Sequence, residues 1–252
     1  MSEINISAYQ LQITKKEDFL KQSDELLDDF PRKGFVIFPE RFLLDTIGED
    51  EDRDIFQFLK DLSQRVTLIA GSLLVRENDR IYNRSYVFHL GKTVGYQDKI
   101  VPFSRERGRI TPGRTIKIFS SEKLCFAVPV CYDLDFPFFS KLSAVHGARF
   151  IFNPSLIRRD FHEEWHQYMI TRALENRISL VSVNSTTDIF NGDSIYVETY
   201  EEDEGVRIRK TIMGRNKKKT FKFSLGNISD KFMQRIAEDP GVYSFPVKKI
   251  FY

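Results

Sequence analysis

Three apolar segments of this chain end in, or close on, a side chain that can do chemistry. Phe35-Val36-Ile37-Phe38-Pro39-Glu40 ends in a carboxylate, and Tyr96-Gln97-Asp98-Lys99-Ile100-Val101-Pro102 sets an ammonium beside apolar and proline residues. Phe126-Ala127-Val128-Pro129-Val130-Cys131-Tyr132-Asp133 presents a thiol. Brought to one point, they would supply a nucleophile, a base for its proton and a cation for developing negative charge. Each also has a plainer reading: Glu40 as a solvated acid at a helix start, Lys99 as a surface strand residue, Cys131 as a core filler. Two further stretches imitate known sites. His162-Glu163-Glu164-Trp165-His166 spells H-E-x-x-H on a helical pattern, the spacing by which a zinc peptidase turns two imidazoles onto one metal. A third ligand is hard to find: His89 and His146 lie upstream, Glu175 is on the same helix, and Glu198 is a remote candidate. The competing reading is helix-surface histidines flanking a buried Trp165. Gly108-Arg109-Ile110-Thr111-Pro112-Gly113-Arg114-Thr115 nearly matches a phosphate loop, but Arg114 replaces the lysine and Pro112 removes an amide. Strand-like Ile116-Lys117-Ile118-Phe119 follows instead of a helix N-terminus, so a turn is expected. Neither G-x-G-x-x-G nor G-x-S-x-G occurs.

Reactive groups at strand ends need a sheet whose rim gathers them. The hydrophobic periodicity supplies the parts. Alternation over 4–13 reads as a half-buried strand, and Thr14 with Glu17 forms a capping-box pattern opening a helix to about 30. Gly34–Phe38 reads as a buried strand, and 51–65 as an amphipathic helix with Ile55, Phe56, Leu59 and Leu62 on one face. Strands are expected near 66–75, 81–90, 94–98, 115–119 and 124–130, then a helix at 137–146 and a strand at 149–152. A helix over 161–177 capped by Asp160, strands near 179–185, 193–198, 206–213 and 220–224, and a helix at 227–237 complete the pattern. This interleaving is an α/β class with helix-covered sheet faces, part of it antiparallel. The charge runs Glu201–Gly205 and Arg215–Lys219 read as solvated hairpin tips. No linker or repeat divides the chain, so one domain is expected over 1–252.

Composition narrows the function classes. Of 252 residues, 41% are hydrophobic and 29% charged, enough for a sizeable core. Lys and Arg number 38 against 36 Asp and Glu, a net charge of +2 that gives no basic face for nucleic acid. No apolar run approaches the roughly 18 residues of a membrane span. Met1-Ser2-Glu3-Ile4-Asn5 has no secretory pattern, and a cytoplasmic protein is expected. The only two cysteines, Cys125 and Cys131, would lie roughly 20 Å apart along an extended strand, too far for a disulfide.

Taken together, the three strand-end groups and their contexts resemble the nitrilase, or carbon–nitrogen hydrolase, superfamily. Phe38-Pro39-Glu40 looks like its first motif, Tyr96-Gln97-Asp98-Lys99 its second, and Val130-Cys131-Tyr132-Asp133 with Phe136-Pro137 its third. The resemblance extends through Gln10, Tyr82-Asn83, Pro112-Gly113, Gly147-Ala148, Arg172-Ala173-Leu174-Glu175-Asn176 and Gly192-Asp193-Ser194-Ile195. It implies a four-layer α-β-β-α sandwich with mixed sheets, usually paired into a homodimer or higher homo-oligomer through helices at about 137–146 and 161–177. It also implies hydrolysis of a non-peptide carbon–nitrogen bond in a small-molecule amide without cofactor or metal. Cys131 would be the nucleophile, Glu40 the general base, and Lys99 with the Tyr132 N–H the oxyanion donors. A second glutamate of the family matches Glu106, which would orient Lys99 or the hydrolytic water; a plain surface acid is the alternative.

Many family members read C-Y-D-x-R-F-P-E at the nucleophile. Here Asp135 replaces the arginine and Phe138 the glutamate. An arginine would suit an anionic substrate, so Asp135 predicts a neutral or cationic amide, unless a local Arg158 or Arg159 pairs with it. The chain ends at Tyr252 without a long extension of the kind that helps filaments form, so a discrete oligomer is expected. The amidase-like C-Y-D form ranks an amide above a nitrile; an N-carbamoyl hydrolase uses the same triad. A zinc peptidase through His162 and His166, or a non-catalytic scaffold of this fold, are the readings from other classes.

Overall fold

Strands buried on both faces, not merely alternating ones, organise this chain. The computed structural model describes residues 3–203, 205–227, 229 and 246–252. The elements in chain order begin β1 (Glu3–Tyr9), α1 (Lys16–Lys21), α2 (Ser23–Asp29), β2 (Phe35–Ile37), β3 (Thr46–Gly48), α3 (Arg53–Leu62) and β4 (Thr67–Ile69). Next come β5 (Leu73–Glu77), β6 (Arg80–His89), β7 (Lys92–Asp98), β8 (Ile116–Ser120), β9 (Cys125–Ala127), α4 (Pro137–Val145) and β10 (Phe150–Pro154). The last are α5 (His162–Asn176), β11 (Ser179–Val183), β12 (Ile195–Glu202), β13 (Gly205–Ile212), β14 (Lys218–Ser224) and β15 (Val247–Phe251). Among the described residues these form an eight-stranded sheet, β14-β1-β2-β4-β6-β5-β3 with β7 on β6, and a seven-stranded sheet, β13-β12-β11-β10-β9-β8-β15. Both are mixed: β1, β2 and β4 run parallel, as do β9, β10 and β11, with antiparallel partners on either side.

Three apolar clusters define four layers. Phe35 and Ile37 join Phe126, Phe150, Phe152 and Val181 between the sheets. Val36 and Phe38, on the opposite face of the same strand, pack with Phe19, Ile55 and Leu59 under the first helical layer. Ile151 and Leu180 face Trp165, Met169 and Phe139 under the second. Central parallel strands therefore read as unbroken apolar runs because neither face meets water. The expected α-β-β-α sandwich is the architecture found.

Several local expectations differ. The helix expected from Thr14 to about residue 30 is two short helices, and Thr14 caps neither. Its backbone bridges to Leu43, and the first-turn N–H of Lys16 donates instead to Asp45 Oδ2 at 2.6 Å. Asp160 likewise does not cap α5; its carboxylate faces Arg158 at 2.8 Å. The strand expected over 66–75 breaks at Gly71, whose φ of +53° sets it against the Pro39 carbonyl; an added Cβ would lie 2.0 Å from that oxygen. The acidic run is a hairpin tip, with Glu202 paired to Gly205. The basic run is not: β13 and β14 lie in different sheets, so residues 213–217 cross between them and Lys218 and Lys219 already pair with β1 in β14. Residues 227–237, expected as a helix, lie outside the described residues but for 227 and 229.

Candidate active site

Glu40, Lys99 and Cys131 leave three different strands and meet where the two sheets face each other. Glu40 lies three residues past β2, and its backbone N–H donates across to the Ser155 carbonyl beyond β10 at 3.3 Å. The turn beneath it is fixed by Ser72, whose N–H donates to Pro39 and whose Oγ accepts from Arg41. Lys99 directly follows β7, its N–H donating to Asn83 of β6 at 2.8 Å and its carbonyl accepting from Gly113 at 2.8 Å. A Cβ on Gly113 would sit 2.5 Å from the Asp98 carbonyl, so the strip that resembled a phosphate loop is instead a turn that passes close behind Lys99. Behind both, buried Arg84 binds Asp98 at 2.6 Å and locks β6 to β7.

Cys131 opens a 3₁₀ turn, Cys131–Asp135, with φ at +46°. A non-glycine residue there is strained, and such strain is held only where the surroundings over-determine it. Asp133 does that. Its Oδ2 accepts the Val130 N–H at 3.0 Å, while Oδ1 accepts Ile100 and Val101 at 3.0 and 2.8 Å. One carboxylate thus pins the Cys131 turn to the residues that follow Lys99.

The side chains close on each other. Lys99 Nζ lies 2.8 Å from Glu40 Oε1 and 2.8 Å from Glu106 Oε2. Asn83 Nδ2 donates to both acids, at 2.8 and 3.0 Å, and Glu106 also accepts the Phe103 N–H at 2.7 Å. The Cys131 thiol lies in the field of both Glu40 and Lys99. All three principal groups are buried. Burial opposes the charge on Lys99, yet Glu40, Cys131 and Glu106 hold its pKa above the ordinary range. Burial also works against ionised Glu106, but Lys99 beside it prevails and holds that carboxyl below the usual value. Burial, with Glu40 adding to it, pushes the Cys131 thiol well up, and Lys99 opposes. A thiol whose pKa is held up beside a buried carboxylate and ammonium is arranged for base-assisted attack.

Of the remaining candidates, Glu106 is part of this cluster and Tyr132 and Asp135 sit on the same 3₁₀ turn. Tyr132's ring packs between Phe103 and Phe136, with centroids at 4.9 and 5.2 Å. Asn83 and Asp133 organise the site although the strand-end pattern does not single them out; the motif resemblance includes both residues but gives them no role. An open cleft of about 620 Å³ lies beyond the loop, lined in part by Arg80, Val101, Arg107 and Arg109, and contains none of the three principal side chains. His162 and His166 are elsewhere. His162 Nδ1 faces Asp193 Oδ2 at 3.1 Å, and His166 Nε2 faces the Asp193 carbonyl at 2.8 Å. Glu198 pairs with Arg209 and Asn227 instead of turning to them. Among the described residues no group of three or more His, Cys, Asp or Glu side chains could hold a metal ion.

Comparison with known proteins agrees with this geometry. Residues 5–207 match the carbon-nitrogen hydrolase family. The probable hydrolase YhcX of Bacillus subtilis is 29% identical over 186 residues, which cover 66% of this chain but only 36% of that protein. The 2-oxoglutaramate amidase of the same organism is 24% identical over 204 residues, 75% of this chain and 76% of that one. XC1258 of Xanthomonas campestris, solved as a CN-hydrolase superfamily protein, superposes with a TM-score of 0.81 at 18% identity, over 96% of this chain and 99% of that one. With the family match spanning most of its length and the sandwich superposing throughout, the chain belongs to the carbon–nitrogen hydrolase family.

Proposed function

We propose that this protein hydrolyses the carbon–nitrogen bond of a small linear amide through a thioester on Cys131. The observation that carries the reading is the buried meeting of Glu40, Lys99 and Cys131: Lys99 Nζ lies 2.8 Å from Glu40, and both charges act on the Cys131 thiol. Glu40 takes the thiol proton as sulfur attacks the carbonyl carbon, and Lys99 with the Tyr132 N–H steadies the oxyanion. The C–N bond breaks as Glu40 returns the proton to the leaving amine. Water, deprotonated by Glu40, then attacks the thioester, releasing the acid and restoring the thiol. Glu106 and Asn83 orient Lys99 and Glu40 throughout. The similarity to 2-oxoglutaramate amidase supports an amide over a nitrile or carbamoyl compound, as does the Cys131-Tyr132-Asp133 form.

Two wider expectations accompany this reading. Two free cysteines suit a reducing cytoplasm, and among the described residues no helix is long and apolar enough to cross a membrane. Large apolar residues exposed on α4 and α5, among them Val145, Tyr168 and Leu174, support pairing with a second copy there.

The test is hydrolysis of a panel of small amides by wild type, Cys131→Ala and Cys125→Ala. Cys131→Ala is expected to lose all turnover with its melting curve preserved, while Cys125→Ala loses stability more than rate. Amide hydrolysis by Cys131→Ala at the wild-type rate would end the proposal.

A further inference from the structure

The 3₁₀ turn that begins at Cys131 ends in a carboxylate, Asp135, that makes no hydrogen bond or ion pair among the described residues. Tyr132 and Asp135 are three residues apart on Cys131–Asp135, and side chains at i and i+3 of a 3₁₀ helix eclipse, so the two share a face. Asp135 is half-buried. Burial pushes its carboxyl up, while Arg172 and Lys99 draw it down, which places it within the field of the catalytic ammonium. Its backbone carbonyl accepts Arg172, yet among the described residues its carboxylate has no hydrogen bond or ion pair. The arginines that could have neutralised it are occupied. Arg158 and Arg159 face Asp160 at 2.8 and 3.9 Å, and Arg172 donates to the Leu134 and Asp135 carbonyls and to Glu175. Glu40 and Glu106 already offset Lys99, so Asp135 leaves the centre with surplus negative charge. Aromatic faces stand beside it. Tyr132 sits edge-on between Phe103 and Phe136, and Phe103 is 54% exposed, unusual for so large an apolar side chain beside a buried centre.

An unpaired carboxylate sharing a turn face with half-buried Tyr132, whose ring packs on exposed Phe103, is chemistry that binds an organic cation, by charge and by the negative ring face. Glu40 must protonate the leaving amine, so that half of the substrate faces Glu40. The acyl half then runs along the turn. From the Tyr132 N–H to Asp135 the helix rises on the order of 6 Å, the reach of a short straight chain. We propose that Asp135, with the rings of Tyr132, Phe103 and Phe136, forms a cation subsite, and that the preferred substrate is a linear amide whose acyl chain ends in an ammonium or guanidinium group. This rests on the hydrolase reading above and names its substrate class.

The experiment compares kcat/KM for 5-aminopentanamide, pentanamide and the monoamide of pentanedioic acid, matched in length and differing in terminal charge. Wild type is expected to favour the cation over the neutral chain by about tenfold or more, with the acid slowest. Asp135→Asn should bring the cation-to-neutral ratio near one, Asp135→Glu should retain it, and acidification that protonates Asp135 should lower it in wild type. Both rates come from the same active fraction, so partial misfolding cancels from the ratio. Should Asp135→Asn be inactive, pentylammonium must shield wild-type Cys131 from iodoacetamide better than pentan-1-ol does. Equal wild-type rates for the cationic and neutral amides, a faster acid, a ratio untouched by Asp135→Asn, or equal shielding would each overturn the subsite. Pentanamide turnover without cation preference would leave the hydrolase reading standing; no turnover and no acylated Cys131 with any of the three would remove both.

Discussion

Cys131 at rest holds its proton more tightly than an ordinary thiol, because burial and the Glu40 charge outweigh Lys99. On the proposed mechanism its reactivity comes from proton transfer during attack, and the geometry of that transfer would rest on residues that do no chemistry. Asp133 is the clearest. Burial pushes its carboxyl up to about 7, while the Val130, Val101 and Ile100 amides that it accepts pull the other way. An asparagine there must point its NH₂ at one of those N–H groups. We expect Asp133→Asn to lose about 1–3 kcal/mol of stability, read by thermal melting. It should lose about 10²-fold in kcat as the turn shifts against Lys99. An unchanged Tm and kcat would contradict the pinning role. The three principal groups were legible in the sequence because each ends an apolar run. Asn83 and Asp133 were visible only as motif residues, and their roles were not, because these lie in which distant donors and acceptors the fold brings to them.

At the scale of elements, the inter-sheet layer sets the distance between Glu40 on one sheet and Cys131 on the other. Phe152 fills its centre, stacked on Phe35 at 5.5 Å and edge-on to Phe126 at 5.1 Å. Phe152→Ala is expected to cost about 3–5 kcal/mol in denaturant unfolding, and a loss below 1 kcal/mol would show that the layer collapses without harm. Most strands were readable, since a run such as Phe150-Ile151-Phe152 serves two cores at once, but the short β3 and the edge strand β15 were not. Boundaries were less so. Thr14 and Asp160 carry the right residue types for helix caps, but a bridge to Leu43 and an ion pair to Arg158 use them otherwise. The break at Gly71 depends on Pro39 arriving from another strand, which local pattern does not encode.

For the whole molecule, the sheet order follows from parallel crossovers that no single segment reveals; the resemblance of motifs implied the four layers but not that order. The exposed apolar side chains of α4 and α5 lie on the layer whose Arg172 holds the nucleophile's turn through the Leu134 and Asp135 carbonyls. Light scattering should give a dimer or a larger even assembly, and Tyr168→Glu with Leu174→Glu should yield a monomer of lower activity; a monomeric wild type would contradict the pairing. The central claim is nearer the chemistry: acyl transfer to a single sulfur. Wild-type protein turning over an amide, quenched in acid and weighed intact, should carry the mass of one acyl group, mapped to the peptide holding Cys131 and absent from Cys131→Ala. Turnover with no adduct on that peptide, persisting in Cys131→Ala, would contradict it.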